Sequence, residues 1–319
     1  MTIEDEHRIL REGCGIADLS WRGRLELVGA DRLRFLHNYV TCDVKGLAPG
    51  TGAYGFFTSP QGRILSDAVL LAHQDRLWVE VGPGQAEPIS AHLRKFILAD
   101  RVEVRPLDDM VPIALIGPRA GDVLGADLSA LGDETWRHAR VMVHGTEVTL
   151  QRRGLLGAPA WTLWTSASVA ALLTERLVAE GARPVGAEAL EALRVEAGIP
   201  RFGQDFGPES FPQETGIEEA VNYTKGCYLG QEVVARIHYR GGVQNVLRGL
   251  VFEGSEGPAQ GAAVLHDGRE AGRATTVVRS PALGRTVGLG VLHRRVEPGT
   301  RVEVEGGGAA EVRELPLRP

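Results

Sequence analysis

Lys225-Gly226-Cys227-Tyr228-Leu229-Gly230-Gln231-Glu232, running on into Val233-Val234-Ala235-Arg236-Ile237-His238-Tyr239-Arg240, is the stretch on which the reading of this chain turns. Val233, Val234 and Ile237 share one helical face while Gln231, Glu232 and Arg236 lie elsewhere, which predicts a helix over 230–239. Cys227, just upstream, sits among small and polar residues, whereas a packing cysteine usually occupies an apolar run. Lys225 beside it and the peptide dipoles of the helix start would favour its thiolate. On the residues alone two readings stay open, a reactive or ligand-handling thiol and a turn cysteine without chemistry.

Texture changes on either side of this stretch. Downstream, β-like runs at 246–252, 261–265, 272–278, 286–292 and 301–305 alternate with Gly, Pro and Asp turns, and Gly306-Gly307-Gly308 reads as a hairpin tip. That pattern predicts a small all-β barrel or sandwich. Upstream, helices are expected at 3–12, after Asp31, and at 85–98, 117–125, 167–180 and 186–197. Strands are expected at 24–28, 77–81, 101–105, 111–116, 140–150 and 160–164. A hairpin is expected from 54–58 and 64–71, turning at Ser59-Pro60-Gln61-Gly62. Without regular βαβ alternation this is an α+β architecture. The expected organisation is a region of two α+β lobes over 1–243 and a β-barrel over 244–319.

Composition narrows the function. A net charge of −6 over 319 residues argues against indiscriminate nucleic-acid binding. The three cysteines, Cys14, Cys42 and Cys227, include no CxxC pair, so neither a disulfide framework nor a zinc knuckle is encoded. Nine histidines without HxH or HExxH spacing predict no dedicated metal site. An acidic N-terminus and the lack of any membrane-length apolar run lead us to expect a cytoplasmic protein without membrane association. GxGxxG and GxxxxGK[ST] are both missing, which counts against NAD, Rossmann-bound FAD and ATP.

Two carboxylates draw notice. Asp67 interrupts the apolar strand Ile64-Leu65-Ser66-Asp67-Ala68-Val69-Leu70-Leu71, where alternation puts it on the face of Leu65 and Val69. A buried carboxylate needs a partner, and the partner is either protein or ligand. Glu196 closes the apolar helix pattern of Leu190 and Leu193; it either faces inward, able to accept paired N–H donors, or lies in solvent at a helix end.

Taken together, the octapeptide with Ala235-Arg236 and Arg240-Gly241 resembles the signature of the YgfZ family, folate-binding proteins that support iron–sulfur cluster assembly or repair. Gly15-Ile16-Ala17-Asp18-Leu19-Ser20, Leu36 to Asp43, Leu193 to Gly198 and Ser280 to Gly284 are similar to the wider superfamily of the glycine-cleavage T protein, a tetrahydrofolate-dependent aminomethyltransferase. The resemblance implies three lobes around a folate channel, the last a β-barrel. It implies that Asp67 is a catalytic aspartate near the folate nitrogens, with Ser66 replacing the first aspartate of the T-protein pair, and that Glu196 binds the pterin. Arg236 or Arg240 would offset the charge of the folate tail, and Cys227 would be the reactive thiol. Tetrahydrofolate or a one-carbon derivative is the implied cofactor, and iron–sulfur client proteins or assembly factors are the implied partners. The alternatives are a T-protein-type aminomethyltransferase and a non-catalytic folate sensor.

Overall fold

The computed structural model describes every residue except Ser255 and Pro319. In chain order the elements begin α1 (Ile3–Glu12), β1 (Gly15–Asp18), β2 (Gly23–Val28), α2 (Arg32–His37), β3 (Gly52–Thr58), β4 (Ile64–Ala72), β5 (Arg76–Val81), α3 (Ala86–Arg94) and β6 (Glu103–Pro106). They continue with β7 (Met110–Ile116), α4 (Ala120–Leu124), β8 (His138–Val143), β9 (Thr146–Arg153), β10 (Ala160–Ser166), α5 (Ala167–Ala179), β11 (Arg183–Pro184), α6 (Ala187–Glu196) and α7 (Gln231–Arg240). The last six strands are β12 (Asn245–Phe252), β13 (Ala263–His266), β14 (Arg269–Ser280), β15 (Arg285–His293), β16 (Arg301–Val304) and β17 (Gly308–Arg313).

These elements make three lobes. The first is a five-stranded sheet, β3-β4-β5-β2-β6, and the second a six-stranded sheet, β11-β1-β7-β10-β9-β8. The third is a closed barrel, β12-β15-β14-β13-β16-β17, in which β17 pairs back onto β12 and leaves no free edge. The α+β architecture with a terminal barrel is thus the observed one.

Strand alternation explains why the two sheets meet. In β4, Ala68 and Leu70 pack with Phe35, Leu36 and Ile89 from α2 and α3. Val69 and Leu71 face the other way, into a second core shared with Trp136 and Trp164 of the neighbouring lobe and with Phe202 and Phe206. Helix α6 lies with α1 against the six-stranded sheet through Leu10, Ala189 and Leu193. Its next residue but one, Val195, packs against the outside of the barrel at Leu289 and Leu317. One helix therefore joins a sheet to the barrel.

Two local departures from expectation have simple causes. The single strand expected at 140–150 is a hairpin, because His144 and Gly145 both take positive φ (46° and 79°) and turn the chain between β8 and β9. Leu65 does not share a face with Asp67. Partnering jumps from Phe57↔Ser66 to Thr58↔Ile64, so Leu65 is the extra residue of a bulge and packs on the helical side.

Candidate functional site

The core between the two sheets is incompletely filled. A cavity of about 250 Å³ lies there, bounded by Trp21 and Arg22 after β1, Tyr54 and Asp67 on β3 and β4, Trp136 and Arg153 near the second sheet, and Leu190, Arg194 and Arg201 on and after α6. It contains aromatic walls and several fixed charges, the usual mixture in a small-molecule site.

Asp67 organises the floor. Its Oδ2 accepts from Arg22 Nη2 at 2.9 Å and from the Tyr54 hydroxyl at 3.2 Å. Its Oδ1 is buried and has no hydrogen-bond partner among the described residues. Gly82 keeps that oxygen open: a Cβ there would lie 3.2 Å from Oδ1 and 2.5 Å from the Phe202 ring. Beyond Arg22 the charges continue. Arg22 Nε pairs with Glu80 Oε1, and Glu80 Oε2 accepts from Arg153 Nη1 at 2.8 Å. Burial opposes the charge on Glu80, but Arg153 and Arg22 outweigh it and hold its pKa below the usual value. Arg22 is likewise pushed up by Asp67 and Glu80 against the pull of burial. Burial, then Asp67, pushes the Tyr54 phenol well above its ordinary range, so it stays a donor. The chain Tyr54–Asp67–Arg22–Glu80–Arg153 is thus a neutral buried network with one oxygen left over.

At the mouth, Trp21 is 45 % exposed, with the Arg201 guanidinium 5.1 Å from its ring centroid. Arg201 pairs with Glu191 at 2.7 Å, and Arg194 with Asp205 at 2.6 Å.

Glu196 is not part of this cavity. Its side chain is fully buried, and its carboxylate accepts from His7 Nε2 (2.7 Å), Arg11 Nη2 (3.2 Å) and Ser280 Oγ (2.6 Å). Burial opposes ionisation, but the His7 and Ser280 hydrogen bonds prevail and lower its pKa. Of the two positions that helical spacing left open, the inward one is observed. These partners make Glu196 a clamp from α1 to the end of β14. Arg236 and Arg240 also lie away from the cavity, on the exposed side of α7. The cavity cations are Arg22, Arg153, Arg194 and Arg201 instead.

Cys227 is exposed, while Cys14 and Cys42 are buried. Burial pushes those two thiols up to about 11 and about 12. The segment carrying Cys227 does not line the cavity. It is pinned to the first lobe. Lys225 Nζ donates to the carbonyls of His37 (2.7 Å), Val40 (2.6 Å) and Cys42 (2.7 Å), so its ammonium serves a loop terminus and not the thiolate. Burial brings Lys225 down to about 8. Gly230, at φ 85°, precedes α7, and a Cβ there would lie 2.3 Å from the Ser59 carbonyl oxygen. Only glycine lets the motif close onto the β3–β4 turn. Much of the octapeptide is therefore docking, and Cys227 and Glu232 are side chains that docking leaves in solvent.

Arg22, Tyr54, Glu80 and Arg153 were not singled out from the sequence. Glu80 carried the same signal as Asp67, a carboxylate inside the apolar strand Leu77-Trp78-Val79-Glu80-Val81. Among the described residues no cluster of three or more His, Cys, Asp or Glu is arranged to hold a metal, and no helix is long and apolar enough to cross a membrane.

The family pattern for the GCVT N-terminal domain matches residues 1–225, and that for the glycine cleavage T-protein C-terminal barrel domain matches 245–317. The chain belongs to the glycine-cleavage T-protein family. It is 32% identical to an aminomethyltransferase of Rubrobacter xylanophilus over 99% of this chain and 83% of that one. A putative chloroplastic transferase of Arabidopsis thaliana is 29% identical over 89% of this chain, which spans 66% of the plant protein. In fold the chain is similar to the glycine cleavage system aminomethyltransferase T of Bartonella henselae, with a TM-score of 0.88, 24% identity, and coverage of 99% of this chain and 89% of that one. These relationships are to the T-protein family as a whole; the narrower YgfZ resemblance rests on the octapeptide.

Proposed function

We propose that the cavity between the two sheets binds the pterin ring of a reduced folate and that the protein is a folate-dependent transferase of aminomethyltransferase type. The observation that carries this reading is Asp67 Oδ1, a buried acceptor with no partner among the described residues, in a site walled by aromatic side chains. A pterin offers ring N–H and amine donors, which such an oxygen can accept. At about 250 Å³ the space falls just below the usual ligand range of about 300–1,000 Å³. It suits a bicyclic ring better than a whole folate. When bound, a reduced folate supplies the nitrogens that accept or release a one-carbon unit.

The chain's own residues then have distinct tasks. Arg22 and Tyr54 fix Asp67 by Oδ2 and leave Oδ1 for the ligand. With Arg22 and Tyr54 both donating to Oδ2, Oδ1 is the acceptor that Asp67 presents to the ligand. Trp21 and Trp136 limit the ring's faces and exclude water. Tetrahydrofolate titration tests this: Asp67→Asn should weaken binding at least about tenfold, and unchanged binding removes the proposal. Turnover with a lipoylated carrier protein, retained in Cys227→Ala, would establish the transferase reading.

A second reading is supported by the exposed Cys227 thiol on a segment held at three carbonyls by Lys225. In it the protein is a YgfZ-type factor, with folate in the same cavity and Cys227 acting on iron–sulfur clients. Rescue of an iron–sulfur enzyme defect by the wild type, lost in Cys227→Ala with folate binding intact, would favour it over the first. Rescue by both forms would count against it.

A further inference from the structure

A separate cavity, of about 530 Å³, lies between the segment 212–223 and the end of α7, and it shares no lining residue with the cavity between the sheets. Its volume is within the range of about 300–1,000 Å³ usual for small-molecule sites. Ile217 and Val221 give it a buried apolar wall, continued by Ile237 of α7 and by Val243. Tyr223 and His238, stacked at 3.7 Å and 17°, add an aromatic one.

The polar groups of this lining all point to one kind of ligand. Gln213 Nε2 donates to the Val234 carbonyl of α7 at 2.7 Å and to the Tyr223 hydroxyl at 3.3 Å, which fixes the amide's orientation. Its Oε1 is then an acceptor, buried and without a partner among the described residues. Such an acceptor is unfavourable until a donor reaches it. Glu218, exposed, contributes a carboxylate. Burial first, and then the Glu218 charge, push the Tyr223 phenol up against the pull of its Gln213 bond, so Tyr223 stays neutral. No lysine or arginine lines the cavity; Arg294, which approaches Gly242, donates to the Gly241 carbonyl at 3.0 Å. An anion would meet Glu218 and no counter-charge, and a plain hydrocarbon would leave Oε1 unpaired.

We propose that this cavity is a second binding site, for a small organic amine in its ammonium form. The apolar body packs against Ile217, Val221 and Ile237, and the ammonium donates to Gln213 Oε1 and Glu218. An ammonium carries three donors and no acceptor, which is the complement of this lining. The site stands apart from the folate reading and uses none of its residues.

Calorimetric titration of the full chain at pH 8 with phenethylamine, 2-phenylethanol and phenylacetate tests it, because the three share a body and differ in charge. The amine should bind at least about fivefold more tightly than the alcohol, with the acid weakest. Glu218→Gln should lower amine affinity about three- to fivefold, the range of an exposed ion pair, and change alcohol affinity by no more than about twofold. Gln213→Met should lower amine affinity about tenfold or more. Val243→Phe, which fills the space and keeps both polar groups, should abolish amine binding. The melting temperature shows whether each variant is folded, and if Gln213→Met is not, the other two decide. Equal affinity for the three probes, no binding of the amine, or amine binding that survives both Glu218→Gln and Val243→Phe unchanged overturns the site. None of these outcomes bears on the cavity between the sheets.

Discussion

Glu196→Ala should loosen the joint between the first helix and the barrel without emptying the cavity. The wild-type carboxylate is fully buried and takes hydrogen bonds from His7, Arg11 and Ser280. Truncation leaves His7 Nε2 and Ser280 Oγ desolvated, at about 1–3 kcal/mol each. Arg11 is 45 % exposed and re-solvates, adding little. The expected loss is about 3–5 kcal/mol, the range for breaking a buried pair. At about 2–4 °C per kcal/mol for a chain of a few hundred residues, the melting temperature should fall on the order of 10 °C. Differential scanning calorimetry at pH 7 measures it, beside a tetrahydrofolate titration at a temperature where the variant is folded. The pH sense is also fixed. Because the folded pKa of Glu196 is lowered, its contribution is present above about 4.5 and lost as pH falls below it. The gap between wild type and variant should therefore close in acid. An unchanged melting temperature together with abolished folate binding would refute the clamp and return Glu196 to the ligand.

Three further outcomes follow. His73 and His138 meet ring to ring at 4.6 Å between the lobes; burial, then His138, takes His73 down to about 3, and burial lowers His138. Their unfolded forms bind more protons below about 6.5, so stability should fall as pH drops from there toward 3. Arg76, Asp75 and Arg140 are the charged groups around His73, and His73→Phe should flatten the slope of melting temperature between pH 7.5 and 5; an identical slope counts against it. Maleimide applied to the native protein should label Cys227 alone, with Cys14 and Cys42 reacting only after denaturation, as intact-mass spectrometry would show. Gly230→Ala should cost at least about 1–2 kcal/mol from its left-handed backbone alone, read by urea unfolding, because its Cβ also meets the Ser59 carbonyl at 2.3 Å.

How far the sequence could be read depended on the range of each interaction. Local periodicity placed α1, the β3–β4 hairpin and the barrel strands, where the signal lies within a few neighbouring residues. Asp67 stood out because a charge broke an apolar alternation. Arg22 could not stand out in that way: it lies in a turn, 45 residues from the carboxylate it holds. Helical spacing left Glu196 open between an inward and a solvent-facing position, because what it faces comes from positions 189 residues before and 84 residues after it. No spacing rule spans that distance. Leu65 was misread because a bulge is a property of two strands together, and only one of them was visible in the pattern.

Helix α6 carries Arg194 toward the cavity and Glu196 toward the clamp, two positions apart and hence about 200° around the axis. Anchored on opposite flanks, it cannot roll in place without tearing one attachment. Arg194 also donates to Thr276 of the barrel at 3.1 Å, so the cavity side of the helix is tied to the third lobe as well. The helix is keyed on both sides, and a change at either flank is felt by the third lobe through Thr276 or Ser280.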